Sequence, residues 1–314
     1  MGIKAKLKQN EMFYNLYQKL KYKNRLTKSF IFEERSNNKK NLLIIIAGYK
    51  EFTWDNVFDR VEHFTLDNMD VCIASSGIYS DELSKIAEKN NWSYLSTKRN
   101  NVSLLQNTVI NEFPNAEMIY KMDEDIFVTE NTFESMMNTY STVKESADIP
   151  YIPGFVAPLI PINGYGHVRI LDHFGLSNYY KEHFGDIRYA ASDRPIQNNI
   201  EVAKFFWGDT GNVPTIDDMA MKLSKNTFDY SVCPIRFSIG CILFHRSFWK
   251  SMNMFSVGRG SGMGMDEVEI NNECVFTSQP MIIDENTVAG HLSFGPQNQA
   301  MKKYYSEHLD KFSV

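Results

Sequence analysis

No apolar run in this chain of 314 residues is long enough to cross a bilayer; the most apolar stretch, Leu42–Ala47, is the length of a strand. The amino terminus lacks the apolar core and small-residue cleavage site of a signal peptide, so the expectation is a soluble, cytoplasmic protein. Cysteine is scarce. Four residues (Cys72, Cys233, Cys241 and Cys274) stand far apart without a CxxC pair, which argues against a zinc ribbon or a disulfide framework. Cys72 and Cys241 fall in apolar, strand-like runs, as reduced and buried thiols do, pointing to a reducing compartment. There is no GxGxxG after the first strand and no GxxxxGK[ST] anywhere, which removes the dinucleotide fingerprint and the P-loop.

Charge is unevenly placed. Residues 1–40 carry 11 Lys/Arg against 3 Asp/Glu, a surplus of +8, and the remainder carries −13. An acidic body repels phosphate backbones, so nucleic acid is not an expected partner. Within 1–28, Leu7, Met12, Phe13, Leu16, Tyr17 and Leu20 recur at helical spacing among lysines. Such a helix either lies on an anionic membrane surface as a peripheral contact or packs on the body with its basic face in water.

From Asn41 onward strands and helices alternate. Leu42–Ala47, Val71–Ala74, Trp92–Ser96 and the stretch beginning at Met118 read as strands. Between them Trp54–Phe64, Asp81–Lys89 (after Ser80) and Val102–Phe113 read as helices, and a further helix runs from near Thr129 or Asn131 to Ser146. Repeated strand–helix units imply right-handed crossovers and a mostly parallel twisted sheet with helices on both faces: an α/β fold. In such sheets ligands bind beyond the carboxyl ends of the strands. Gly48-Tyr49-Lys50, Ser75-Ser76-Gly77, Lys98-Arg99 and Asp123–Asp125 all fall at that edge. Residues 151–235 read as irregular and aromatic-rich, with one helix at Ile216–Leu223; Phe205-Phe206-Trp207 suits either sugar stacking or a second small core. His167, His173 and His183 lack metal-ligand spacing.

Two acidic clusters stand out. Met118–Val128 (MIYKMDEDIFV) is an apolar strand running into Asp123-Glu124-Asp125. Adjacent carboxylates at the end of a buried strand repel one another unless a cation neutralises them, and their oxygens suit Mn²⁺ or Mg²⁺. Farther on, Arg236–Phe244 reads as a strand. It is followed by Gly258, Gly260, Gly262 and Gly264, a spacing expected of a mobile loop that closes on a ligand, and then by Asp266-Glu267. Val288–Phe294 carries His291.

The KMDEDIFV run resembles the DxD motif of GT-A fold, nucleotide-sugar-dependent glycosyltransferases, nearest to its form in β-1,3-galactosyltransferase-like enzymes. FSIGCILFHRSFW followed by GRGSGMGMDEVE is similar to the acceptor strand and acidic loop of β-1,4-galactosyltransferases, with Met263 where that family has tryptophan and the two acids in reversed order. The resemblance covers about residues 41–128 and 237–297. It implies hexosyltransferase-like chemistry with inversion preferred: HLSFGPQ, beginning at His291, is also similar to a segment of some retaining enzymes, and a glycan-binding protein that kept the fold is a further alternative. By the resemblance, Asp125 and His291 bind Mn²⁺ (or Mg²⁺), with Asp123 on the donor ribose or on the metal through water. Glu267 matches the base, with Asp266 the acid beside it, and Gly48, Tyr49 and Arg99 line the nucleotide-sugar site. The implied division is a basic helical segment over 1–40, a nucleotide-sugar-binding half over 41–150 and an acceptor-binding, catalytic half over 151–314. The implied partners are a nucleotide-sugar donor, UDP-linked by preference, and a glycan or lipid-linked glycan acceptor, as in bacterial surface polysaccharide synthesis.

Overall fold

A computed structural model describes residues 24–189 and 194–314. The helix expected within residues 1–28 therefore lies almost wholly outside the described residues.

The strands, in chain order, are β1 (Phe30–Glu33), β2 (Asn41–Ile46), β3 (Met69–Ser76), β4 (Ser93–Thr97), β5 (Met118–Asp123), β6 (Ile126–Phe127), β7 (Phe155–Leu159), β8 (Tyr230–Val232), β9 (Cys241–His245), β10 (Met281–Val288) and β11 (Gly290–His291). Nine of them form one sheet in the order β1-β4-β3-β2-β5-β9-β7-β10-β8. Strands β2, β3, β4, β5, β7 and β10 run one way, and β1, β8 and β9 run against them, so the sheet is mostly parallel. Every residue of β3 is buried, which requires cover on both faces and explains why β2 and β3 read as unbroken apolar runs. Helices Val102–Glu112, Thr132–Glu145 and Ile216–Leu223 supply part of that cover, packing on β3, on β7 and β10, and on β10 respectively.

Local signals place these elements well. The Ser80 side chain accepts the Leu83 amide and starts helix Asp81–Lys89; Thr215 does the same for Asp218 and helix Ile216–Leu223. Several expectations give way to tertiary context. Residues 30–33, counted with the basic helical head, form an edge strand antiparallel to β4, because Phe30 and Phe32 alternate toward the core. The stretch 236–240 is not a strand; pairing with β5 begins only at Cys241. The region 151–235 is far more regular than its composition suggests. It holds β7, β8 and helices Gly166–His173, Ser177–Phe184, Pro195–Asn198 and Ile200–Phe206 in addition to Ile216–Leu223. Phe205, Phe206 and Trp207 are buried, so these aromatics build a core rather than a platform for sugars.

Candidate active site

The acids that end β5 sit where two strand pairings put them. Ile46 at the end of β2 is level with Asp123 at the end of β5, and the Asp123 amide donates to the Gly240 carbonyl at 2.9 Å. The acids thus turn out of the sheet at its carboxyl edge, between the loops after β2 and before β9. Each then takes a different role.

Asp125 turns inward and is almost fully buried. Its Oδ2 receives the Lys50 ammonium, and His291 Nε2 stands 3.4 Å from the same oxygen. His291 arrives from far along the chain because β11 pairs with β6, setting His291 against Ile126, while the Leu292 amide donates to the Asp125 carbonyl at 3.1 Å. Burial opposes the Asp125 charge, but His291 and Lys50 outweigh it and hold the carboxyl well below the usual carboxylate range. The other imidazole nitrogen, Nδ1, lies 3.0 Å from the Ile162 carbonyl, which fixes the plane of the ring.

Gly290 makes this placement sterically feasible. A Cβ there would lie 2.4 Å from the Trp207 ring, whose Nε1 donates to the Leu292 carbonyl at 3.2 Å. The buried Trp207 therefore fixes the segment carrying His291, a positioning role its aromatic surroundings did not signal.

Asp123 opens to the crevice, with 41% of its side chain exposed, and is held at 2.6 Å by the buried Lys121 ammonium, which also donates to the Ile239 carbonyl at 2.7 Å. The crowding of protein around Asp123 pushes its carboxyl up; Lys121 pulls it down, and the charges of Asp125 and Asp266 push it up again, leaving it above its ordinary value. Burial disfavours the charge on Lys121, yet Asp123 and Asp266 together raise its affinity for the proton above normal.

Glu124 organises the loop opposite. Its carboxylate accepts the Gly48 amide at 2.9 Å, the Tyr49 amide at 3.0 Å and the Trp54 indole N–H at 2.7 Å. The middle acid of the motif therefore ties the loop after β2 to the end of β5.

Across the crevice, helix Met265–Phe276 presents Asp266 and Glu267 in its first turn. Asp266 is buried and accepts Gln106 Nε2 at 2.7 Å. Glu267 is paired at 2.5 Å with Arg236. The glycine-rich segment before them is docked instead of free. Asn101 Nδ2 donates to Gly260 at 3.0 Å, the Val102 amide to Ser261 at 3.0 Å, and Arg99 Nη2 to Gly258 at 2.5 Å. Gly262, at φ +64°, presses so closely on Asn101 that a Cβ would fall 2.7 Å from its amide nitrogen. Arg99 is thus engaged by that loop, and Met263 at its tip is 80% exposed.

Tyr49, Lys50, Phe52, Met263, Asn298 and Lys302 line a cavity of about 820 Å³, which Lys50 links to Asp125. Tyr49 is 62% exposed, and its hydroxyl donates to the Ser76 carbonyl at 2.7 Å. Lys50, which the sequence places at the ligand edge without a role, lines this cavity together with Lys302, whose one signal in the sequence is a helix beyond the apolar segment of His291.

Among the described residues no group of three or more His, Cys, Asp or Glu is gathered as a metal cage. Two protein ligands, Asp125 and His291, nevertheless suit a hard or borderline divalent ion whose remaining positions are filled by phosphate oxygens and water. The residues present fit such an ion on those terms.

No family model matches the sequence, and no curated protein matches it. Among solved structures, the chain is similar to the mannosyltransferase PcManGT from Pyrobaculum calidifontis in complex with GDP-Man and Mn²⁺ (12% identity, 98% of this chain and 72% of that one, TM-score 0.49). It is also similar to GalNAc-T7 with UDP, GalNAc and Mn²⁺ (11% identity, 83% of this chain, TM-score 0.47), spanning 45% of that chain. A third is glucosyl-3-phosphoglycerate synthase from Mycobacterium tuberculosis with Mn²⁺, UDP and glucosyl-3-phosphoglycerate (10% identity, 87% of this chain and 80% of that one, TM-score 0.44).

Proposed function

We propose that the chain is a metal-dependent glycosyltransferase of the GT-A type, moving a sugar from a nucleotide-sugar donor to a hydroxyl of a glycan with inversion. The observation that carries this reading is the convergence of Asp125 and His291 on one point, beside a crevice-facing Asp123 and opposite the pair Asp266-Glu267. Asp125 and His291 would hold Mn²⁺ or Mg²⁺, which when bound supplies the positive charge that a departing diphosphate needs. Asp123, oriented by Lys121, accepts a hydrogen bond from the donor ribose. The exposed ring of Tyr49 offers a face to the base, and Gly48, held by Glu124, keeps the loop after β2 close to the donor. Arg99 serves by fixing the glycine-rich loop.

For inversion, a carboxylate must take the acceptor proton as the hydroxyl attacks. Of the two acids, the contacts favour Asp266 in place of Glu267. Glu267 is neutralised by Arg236, whereas Asp266 makes no ion pair among the described residues; both acids lie near enough to act on Lys121, and Asp266 acts on Asp123 as well.

The donor is a UDP-sugar on this reading and the acceptor a glycan or lipid-linked glycan of a bacterial surface polysaccharide, reached from the cytoplasmic side. The basic surplus of residues 1–40 supports a peripheral approach to an anionic membrane. No helix among the described residues is long and apolar enough to cross one. The test is a panel of UDP- and GDP-sugars incubated with the protein and Mn²⁺, scored for nucleoside diphosphate release. Release from a UDP-sugar that stops with EDTA is expected, with an inverted anomer by NMR once an acceptor is found. No turnover of any donor refutes the reading.

A further inference from the structure

A cation already stands at the oxygen a divalent ion would need. Lys50 Nζ and His291 Nε2 both approach Asp125 Oδ2. The Lys50 backbone is held in place. The Gly48 and Tyr49 amides before it donate to Glu124, and its own carbonyl accepts the Thr53 amide at 2.9 Å and the Thr53 hydroxyl at 2.7 Å. Its side chain is the part able to move. It is 24% exposed and borders the 820 Å³ cavity, where Lys302 is the other basic lining residue and Glu51 the acidic one. A cavity flanked by two lysines attracts a polyanion, and a swing of the flexible butyl-ammonium arm keeps Lys50 in reach of it.

We propose that Lys50 is a tethered counter-cation with two stations. With the donor site empty it neutralises Asp125; with the site filled it moves to the donor diphosphate, so that metal and diphosphate enter together. The proposal rests on the nucleotide-sugar reading of this site. Its physical basis is that an ammonium and a divalent ion repel one another and do not share one carboxylate oxygen at contact distance. A metal ion arriving alone must strip Asp125 of its partner and leave Lys50 without one. A diphosphate supplies the new partner, so nucleotide raises metal affinity, and by linkage metal raises nucleotide affinity by the same factor. Lys50 is then a positioning residue for the leaving group that also guards the metal site.

Free Mn²⁺ measured by electron paramagnetic resonance during titration of the full chain tests this, with Mn²⁺ alone and with UDP or GDP added. Lys50→Met and Lys50→Gln are each expected to bind Mn²⁺ alone at least tenfold more tightly than the native protein. In both, the gain in Mn²⁺ affinity on adding nucleotide is expected to shrink by a similar factor. Two variants of different polarity guard against a folding defect in either. If both bind Mn²⁺ alone no more tightly than the native chain while Asp125→Asn abolishes binding, the role of Lys50 is refuted and the metal site stands. If Mn²⁺ binding survives Asp125→Asn, or no chain binds Mn²⁺ even with UDP or GDP, the site reading falls and the proposal with it.

Discussion

Replacing Glu124 by alanine should destabilise the protein as a core mutation does, although it removes a charged residue from an acidic motif. Three donors point at this carboxylate, and alanine leaves all three without it. A buried donor left unsatisfied costs about 1–3 kcal/mol. The Trp54 indole N–H is buried and bears that cost in full, while water entering the crevice satisfies part of the need of the Gly48 and Tyr49 amides, giving a total of roughly 2–4 kcal/mol. Burial holds the Glu124 carboxyl above its usual range despite these donors, so the stabilisation comes from satisfying them and not from the charge. Glu124→Gln keeps one acceptor oxygen and sets an amide N–H₂ against the remaining donors, for a smaller loss of about 1–2 kcal/mol. The assay is equilibrium urea unfolding of the native chain, Glu124→Gln and Glu124→Ala, comparing midpoints at unchanged slope. An alanine variant within about 0.5 kcal/mol of native would refute the account of Glu124 as the fastener of the loop after β2.

The two loop acids separate by turnover at saturating donor: Asp266→Asn should lower it by about 10²-fold or more and Glu267→Gln by less than tenfold, and the reverse order would return the base to Glu267. Gly290→Ala should cost about 1–3 kcal/mol by overpacking against Trp207, and Trp207→Phe should cost less in that background than alone; strict additivity in the double-mutant cycle would show that the two do not meet. His167 is buried with Nδ1 on the Asn163 carbonyl, and burial pushes its pKa down to about 4. The unfolded chain, titrating near 6.5, binds the proton first, so stability present above pH 6.5 should fall by about 3 kcal/mol as pH drops to 4. The difference in unfolding free energy between native protein and His167→Gln, followed across that window, should shrink accordingly; a constant difference would contradict it.

What could be read from the chain without its structure was whatever neighbouring residues decide. The cap at Ser80 and the apolar runs of β2 and β3 act within a few residues, and they located helices and strands of the first half. The acids after β5 could be placed at the ligand edge on the same basis, because a parallel strand order puts carboxyl ends on one side. Cys72 and Cys241 were read as buried strand residues for similar reasons, and they are.

Tertiary structure decided how the motif divides its labour. Asp123, Glu124 and Asp125 are consecutive and chemically alike, yet one faces the crevice beside Lys121, one fastens a loop, and one is buried against Lys50 and His291. Nothing local distinguishes them, because their surroundings come from β2, β9 and β11. Glycine spacing suggested a mobile loop, but Asn101 and Arg99, far off in sequence, hold it down. The sequence alone determined that acids, a histidine and lysines would be available at a sheet edge. Only the pairing of β11 with β6 and the fastening of the loop after β2 decided that Asp125, His291 and Lys50 meet at a single oxygen, because such contacts depend on which distant strands lie side by side.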